Sequence, residues 1–396
     1  MSRPVRVHVV DPPAYTPPYD HALCGALGYA GAQVTLVTSR FAYGPVPPAE
    51  GYERRELFYR AALGAPGSRL RTVCRLAEHV PDMLRYRHLA READIVHFQW
   101  LSVQHLDGHL LPPRRRGSGG LAGGHAGGAP GGDTRPLVLT AHDILPREPR
   151  PGQLAAQRRL YERFDAIVVH SEHGRARLTR ELGVESERVH VIPHGAFAHL
   201  AAAAPQPPPF ETDKPVVLCF GLMRPYKGID LLLQAWHEID EAELWIAGMP
   251  KFDISHLRRA APANVRFVPR FIGDTELPAY FQRADLVVLP YREIDQSGVL
   301  LTALAFGKPM LLSDVGGFPE VAATGAARTF PAGDVPALSA ALGELLSDPA
   351  ALAAMAERAR AAAAGPYSWD EIGRRTLRLY DSLITLSPEK SIPSRP

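Results

Sequence analysis

Two stretches of the chain hold residue types that can grip a doubly charged anion. In PVVLCFGLMRPYKGIDLLLQAW, from Pro215, an apolar run ends at Gly221, a short turn carries Arg224 and Lys227, and an apolar-periodic segment begins near Gly228. A strand followed by such a turn puts both cations at the carboxyl end of the strand, where open α/β sheets bind ligands; a guanidinium beside an ammonium suits a diphosphate. Taken alone, the pair also fits ordinary solvent-facing loop charges. In DLVVLPYREIDQSGVLLTALAFGKPMLLSDVGGFPE, from Asp285, an apolar run ends at Pro290, and Gln296, Ser297 and Gly298 precede a helix expected near Val299. Free main-chain N–H groups and the positive end of a helix dipole favour an anion or a sugar hydroxyl there; N-capping by Ser297 accounts for the same residues. Between the two stretches, VPRFI leaves main chain beside Phe271 and Ile272 that could hold a flat base, or simply packs in a core.

The N-terminal half offers imidazoles. LVLTAHD, from Leu137, ends an apolar run with His142 and Asp143, and His97 ends another in HFQW. A histidine at the carboxyl edge of a sheet can give or take a proton near neutral pH. His142 is the stronger candidate and His97 the weaker.

The elements that would position these residues follow from a repeated rhythm. Short runs rich in β-branched residues, at 5–10, 33–38, 94–98, 136–141, 166–170 and 189–193, alternate with helical patterns. They imply a parallel sheet covered on both faces. Residues 198–214 combine an alanine run with clustered prolines, the composition of a stiff linker. The rhythm restarts at 215–221, 243–247, 265–268, 285–290, 309–313 and 327–330. The expected organisation is therefore α/β with two doubly wound Rossmann-like domains: 1–197, a linker at 198–214, then 215–366, and a closing helix with its tail at 367–396 that packs back on the first domain. Residues 112–135 are so rich in Gly and Pro that they read as a disordered insertion, whose Arg114 to Arg116 run is expected to be solvated.

Composition excludes several classes. Lys+Arg 44 against Asp+Glu 42 leaves a formal charge of +2 with the basic residues dispersed, which is no nucleic-acid surface. The 3 cysteines lie far apart without metal-ligand spacing and are expected to be reduced thiols. No run reaches the ~18 apolar residues of a membrane span, and the opening stretch is short for a signal peptide. The expectation is a cytoplasmic protein, at most peripherally in contact with the inner face of a membrane through the basic stretch from Arg69 to Arg91. No GxGxxG follows the first strand, which disfavours a nicotinamide dehydrogenase.

FGLMRPYKGID, AYFQRADLVVLPY, TALAFGKPMLLSDVGG and YSWDEI resemble the C-terminal half of family 4 glycosyltransferases of the GT-B fold, and VVHSEHGRARL and VIPHGAF are similar to that family's interdomain segments. The resemblance covers most of residues 136–385. It implies retaining transfer of a sugar from a nucleotide-diphosphate sugar to a glycan, lipid or small-molecule acceptor. Arg224 and Lys227 would bind the diphosphate and neutralise the leaving group, with no metal and no other cofactor. Gly221, Phe271, Ile272, Glu293, Gln296, Ser297, Gly298, Val299 and Thr302 would complete the donor site. His142 would act on the acceptor side with Asp143, His97, Tyr15, Tyr19 and Asp20. Two family glutamates, eight positions apart, fall here on Ile294 and Thr302; Thr302 could still bond a ribose oxygen, and either Glu293 or Asp295 could replace the first, Asp295 being preferred. Their loss leaves open an alternative, a sugar-nucleotide-binding protein or pseudo-glycosyltransferase without ordinary sugar transfer. An epimerase of related fold is a third reading.

Overall fold

The computed structural model describes residues 3–42, 46–65, 68–101, 103–113, 135–145, 151–202, 204 and 206–385. The body of the expected insertion, with Arg114 to Arg116, and the tail from 386 onward lie outside the described residues.

The chain divides into two compact units, one of Met1–His170, Arg175–Ile192 and Trp369–Pro396, the other of Ser171–Gly174 and Pro193–Ser368. The first is built on seven parallel strands: β1 (Arg6–Asp11), β2 (Gln33–Ser39), β3 (Glu53–Phe58), β4 (Ile95–Phe98), β5 (Leu137–Thr140), β6 (Ala166–Val169) and β7 (Val189–Val191). Their order is β3-β2-β1-β4-β5-β6-β7. The inner strands are continuous apolar runs, and all four residues of β4, β5 and β6 are buried. That pattern arises when both faces of a sheet are covered. Side chains alternate between two cores: Val7, Val9, Val34, Leu36 and Val138 face one, Val10, Val37 and Leu139 the other. The helix Arg69–Leu89 closes the second core with Met83 and Tyr86.

The helix Pro17–Tyr29 and the C-terminal helix Trp369–Thr385 close the first core with Leu23, Leu27, Ile372, Leu379 and Tyr380. Full burial of such side chains stabilises by about 1.5–3 kcal/mol each. The two helices meet at Gly373, where a Cβ would lie 2.9 Å from the Ala26 Cβ and 2.8 Å from its main chain.

The second unit repeats the plan with six parallel strands: β8 (Val216–Phe220), β9 (Glu243–Ala247), β10 (Val265–Val268), β11 (Leu286–Leu289), β12 (Met310–Ser313) and β13 (Ala327–Phe330). They are ordered β10-β9-β8-β11-β12-β13. Residues 198–214, read from sequence as a linker, cluster with this unit. The short helix Ala198–Ala201 lies against the helix Gly298–Ala305, and Leu200 and Phe210 pack on the unit's core. These apolar side chains tie the proline-rich stretch down.

Both sheets reverse their strand order beside their first strand, between β1 and β4 and between β8 and β11. At such a point the flanking crossovers leave in opposite directions and open a crevice at the carboxyl ends of the strands.

Replacing Gly373 with Leu should force the C-terminal helix off Ala26. Overpacking of this kind costs about 1–3 kcal/mol. The expected result is a lower thermal midpoint for the first unit; an unaltered midpoint would show that the close approach is not needed.

Candidate functional site

In the second unit the crevice between β8 and β11 holds Lys227. β8 gives way at Gly221, which adopts φ +101, a conformation that disfavours side chains. The chain turns through the 3-10 segment Pro225–Lys227 into the helix Ile229–Ala235. The Lys227 ammonium comes back over the turn: a Cβ on Gly221 would stand 2.9 Å from its Nζ and 3.0 Å from Val299 Cγ2. Lys227 is only 7% exposed. Its Nζ lies 5.0 Å from the centre of the Tyr291 ring, which follows β11, so an aromatic face stabilises the buried cation. Burial pushes the Tyr291 hydroxyl well above its ordinary range and keeps it neutral.

A bidentate ion pair locks the turn to the loop after β11. Arg292 donates to both oxygens of Asp230, at 2.9 and 2.7 Å, and to the Pro225 carbonyl at 2.9 Å. Arg224 is exposed and lines, with both residues of this lock, a cavity of about 340 Å³ that Tyr226, Phe252 and His256 also line. The two cations expected to act together thus occupy different settings, one buried and one in solvent.

The helix Gly298–Ala305 begins as expected, with Ser297 in extended conformation accepting from the Leu300 N–H at 3.4 Å. Gly298 is exposed, Val299, Gln296 and Asp295 are half-buried, and Glu293 is exposed. Thr302 is buried and its hydroxyl donates to the Gly298 carbonyl at 2.9 Å, so its proton is already engaged inside the helix. After β10, Phe271 is 68% exposed whereas Ile272 packs in the core.

In the first unit the crevice between β1 and β4 is aromatic. His142, after β5, stacks on Trp100 at 5.0 Å and 12° and meets the Tyr19 ring edge-on at 4.6 Å. Trp100 donates to Thr16 at 2.9 Å and carries Tyr15, itself 69% exposed, at 4.7 Å. His142 and the exposed Asp143 line a cavity of about 180 Å³ together with Gln99 and Gln153.

The proton positions around His142 follow from its neighbours. His170 Nδ1 is 3.0 Å from the Ile192 carbonyl, which only accepts, so Nδ1 carries the proton and Nε2 presents a lone pair. His142 Nδ1, 3.3 Å away, donates to that lone pair. His142 Nε2 lies 3.2 Å from the Gln99 side-chain oxygen. Whether Nε2 donates to the Gln99 oxygen or accepts from the Gln99 amide nitrogen follows the orientation of that amide.

Two residues expected on the acceptor side belong to the core instead. His97 is fully buried, paired with the Tyr380 hydroxyl at 2.6 Å and the Thr140 hydroxyl at 2.8 Å, and burial lowers it to about 3. It lies within β4, one residue before the strand ends, and its ring faces the C-terminal helix through Tyr380. Asp20 is buried beside Asp11. Burial, then the neighbouring Asp11 charge, raise Asp20 well above the carboxylate range. Asp11 accepts from the N–H groups of Tyr15 at 2.6 Å and Thr16 at 3.3 Å, which shapes the turn after β1.

The model of Glycosyltransferase Family 4 matches residues 19–196 and that of Glycosyl transferases group 1 matches residues 214–348. The chain belongs to the family 4 glycosyltransferases. It is similar to the GDP-mannose-dependent alpha-(1-6)-phosphatidylinositol monomannoside mannosyltransferase of Mycolicibacterium smegmatis, 30% identical over 251 residues, covering 58% of this chain and 65% of that one. It is also similar to the D-inositol 3-phosphate glycosyltransferase of Mycolicibacterium paratuberculosis, 29% identical over 277 residues, covering 63% of this chain and 62% of that one. The chain thus spans less than two thirds of the length of these relatives. Its fold is that of GT-B proteins such as the sucrose-phosphate synthase of Thermosynechococcus elongatus, with a TM-score of 0.69, 19% identity, and coverage of 97% of this chain and 100% of that one.

Within this family 4 glycosyltransferase, sequence reasoning missed Tyr291, the Asp230–Arg292 lock, Trp100 and His170. His170 had an available signal: it follows β6 as His142 follows β5, and adjacent parallel strands bring such residues to one edge.

Burial lowers His97 to about 3 and His8 and His170 to about 4. An unfolded histidine titrates near ~6.5, so between that pH and the folded values the unfolded chain takes up protons that the folded chain refuses. Stability contributed by these neutral rings is complete above pH ~6.5 and declines as pH falls towards about 4. Urea unfolding of the first unit should show this decline, and His97→Gln should reduce it.

Proposed function

We propose that this chain transfers a glycosyl group from a nucleotide-diphosphate sugar to an acceptor, with GDP-mannose the first donor to test. The observation that carries the reading is Lys227, a buried ammonium set over a left-handed glycine turn at the reversal point of the second sheet. A cation held there, with water displaced from one side, acts more strongly on a leaving diphosphate than the same charge in solvent. Arg224, exposed at the same turn, would add the second positive charge. The loop cations take the electrostatic part that a metal plays elsewhere, and no metal is required. Main-chain groups beside Phe271 and Ile272 would hold the base, and the start of the helix Gly298–Ala305, with Ser297 and Asp295 or Glu293, would face the sugar. The donor is suggested by the Mycolicibacterium smegmatis relative, which is named for GDP-mannose.

Transfer would retain the anomeric configuration by a front-face path assisted by the departing phosphate, since no carboxylate is positioned as a nucleophile in this reading. His142 would bond the transferred sugar or the acceptor. The two relatives named above act on a phosphatidylinositol monomannoside and on inositol 3-phosphate, and an inositol- or lipid-borne hydroxyl is the acceptor class to try first. Among the described residues no helix is long and apolar enough to cross a membrane, so any contact with a bilayer would be peripheral.

The test is nucleotide release across GDP-, UDP-, ADP- and TDP-sugars with and without acceptor, paired with calorimetric titration of the matching nucleoside diphosphate. Lys227→Ala should weaken that titration by about 10- to 100-fold, the equivalent of charge-assisted hydrogen bonds of about 1.5–3 kcal/mol. Equal affinity in the variant would remove Lys227 from the site. Tight nucleotide binding without release from any donor would favour a binding protein over a transferase.

A further inference from the structure

The first unit carries a second concave site, whose lining does not include His142, at the carboxyl ends of β1, β2 and β3. It is a cavity of about 230 Å³ lined by Ala14, Ser39, Arg40, Tyr59, Arg71 and Arg75 among others. Arg40 follows the end of β2, and Arg71 and Arg75 stand one turn apart on the helix Arg69–Leu89, on neighbouring positions of one face. None of the three guanidiniums forms an ion pair with a carboxylate among the described residues.

The nearby acids are engaged elsewhere. Asp82 accepts from the Tyr59 N–H at 2.8 Å and from Arg85 at 2.9 Å, Asp107 from His79 at 2.6 Å, and Glu78 from the Ala61 N–H at 2.9 Å. What the arginines do contact holds them in place without neutralising them. Arg75 lies with its Cζ 4.5 Å from the centre of the Tyr59 ring and donates to the Pro13 carbonyl at 3.4 Å. Arg71 donates to the carbonyls of Ala62 and Gly64, at 3.3 and 3.4 Å. Each guanidinium has five N–H groups, so most remain for a ligand.

Tyr59 is itself a fixed platform, its hydroxyl 2.8 Å from His79 Nδ1. Ala14 and Tyr59 are also the described non-glycine residues with positive φ, 52° and 54°. Two uncommon backbone conformations on the wall of one cavity show that the surrounding structure holds this wall against local preference.

We infer that this cavity binds a phosphate monoester or diester, the anionic group of the molecule that accepts the sugar. The assignment of that ligand as acceptor rests on the transferase reading above; the anion site does not. Arginine forks match phosphate oxygens in pairs. The volume is below the ~300–1,000 Å³ of sites that take drug-sized ligands, which fits a phosphate and a small attached group better than a nucleotide. A phosphate could arrive free or on a lipid, and Leu70, Val73 and Leu76, exposed along the same helix, make the second source worth a separate arm.

The experiment uses the full chain and two probes: glycerol 3-phosphate by calorimetry, and vesicles of phosphatidylglycerol in phosphatidylcholine by co-sedimentation. The expected result is saturable binding of at least one probe that falls at least about tenfold in Arg71→Gln/Arg75→Gln and is retained in Lys227→Ala. Response to the soluble probe alone names a free phosphorylated acceptor, and response to the vesicles alone names a lipid. Arg40→Gln, at an exposed position, should weaken the same response and covers the case in which the double variant does not fold. Equal binding by wild type and Arg40→Gln together with equal binding by the folded double variant would overturn the site. So would loss of the response in Lys227→Ala, which would place the phosphate in the second unit. Absence of sugar transfer from every donor, with phosphate binding intact, would count against the transferase reading and leave the anion site standing.

Discussion

Where the strand order of a parallel sheet reverses, the connections on either side depart in opposite directions and leave main chain uncovered at the carboxyl ends of two neighbouring strands. Each unit of this chain has one such place, and the groups capable of chemistry collect around it. In the second unit, β8 runs out at a glycine and β11 at a tyrosine, and a lysine from the following turn fills the space between them. A buried ammonium is costly unless something answers its charge. The Tyr291 face, 5.0 Å from its Nζ, contributes about 0.5–2 kcal/mol. The Asp230–Arg292 pair keeps the turn from relaxing away.

The first unit uses the same gap differently. Its crevice is lined by rings, with Trp100 beneath His142 and Tyr19 against its edge, and His142 Nδ1 is bonded to His170. His170, held neutral by burial and bonded to a carbonyl, can only accept from His142.

The strands were legible because each inner one is a short apolar run buried on both faces, and the turn bearing Lys227 was legible because a strand, a glycine and two cations follow in order. β3, with the sequence ERRELF, was missed: it lies at the sheet edge, where one side faces water and charged residues carry no penalty. The linker was misread because Leu200 and Phe210 are sparse among alanines and prolines, yet two apolar anchors suffice to dock a short segment. His97 and His142 look alike in sequence, each closing an apolar run. Position along the strand separates them: His97 lies inside β4 and bonds Tyr380 of the C-terminal helix, whereas His142 lies two residues beyond the end of β5. The pairing of His170 with His142 and of Arg40 with Arg75 is made by the fold, and no local pattern announces contacts across such distances along the chain.

The C-terminal helix completes the core of the unit in which the chain began. Its Tyr380 hydroxyl bonds His97, 283 positions earlier. On a ribosome adding roughly 5–20 residues per second, the segment bearing His97 waits on the order of 15–60 s for the helix that covers it. Throughout that interval one face of the first sheet has Val7, Val9 and Val138 incompletely covered, while the second unit is made and can close on its own. The core of the first unit is therefore complete only once the last helix has been made, after nearly all of the second unit has been synthesised.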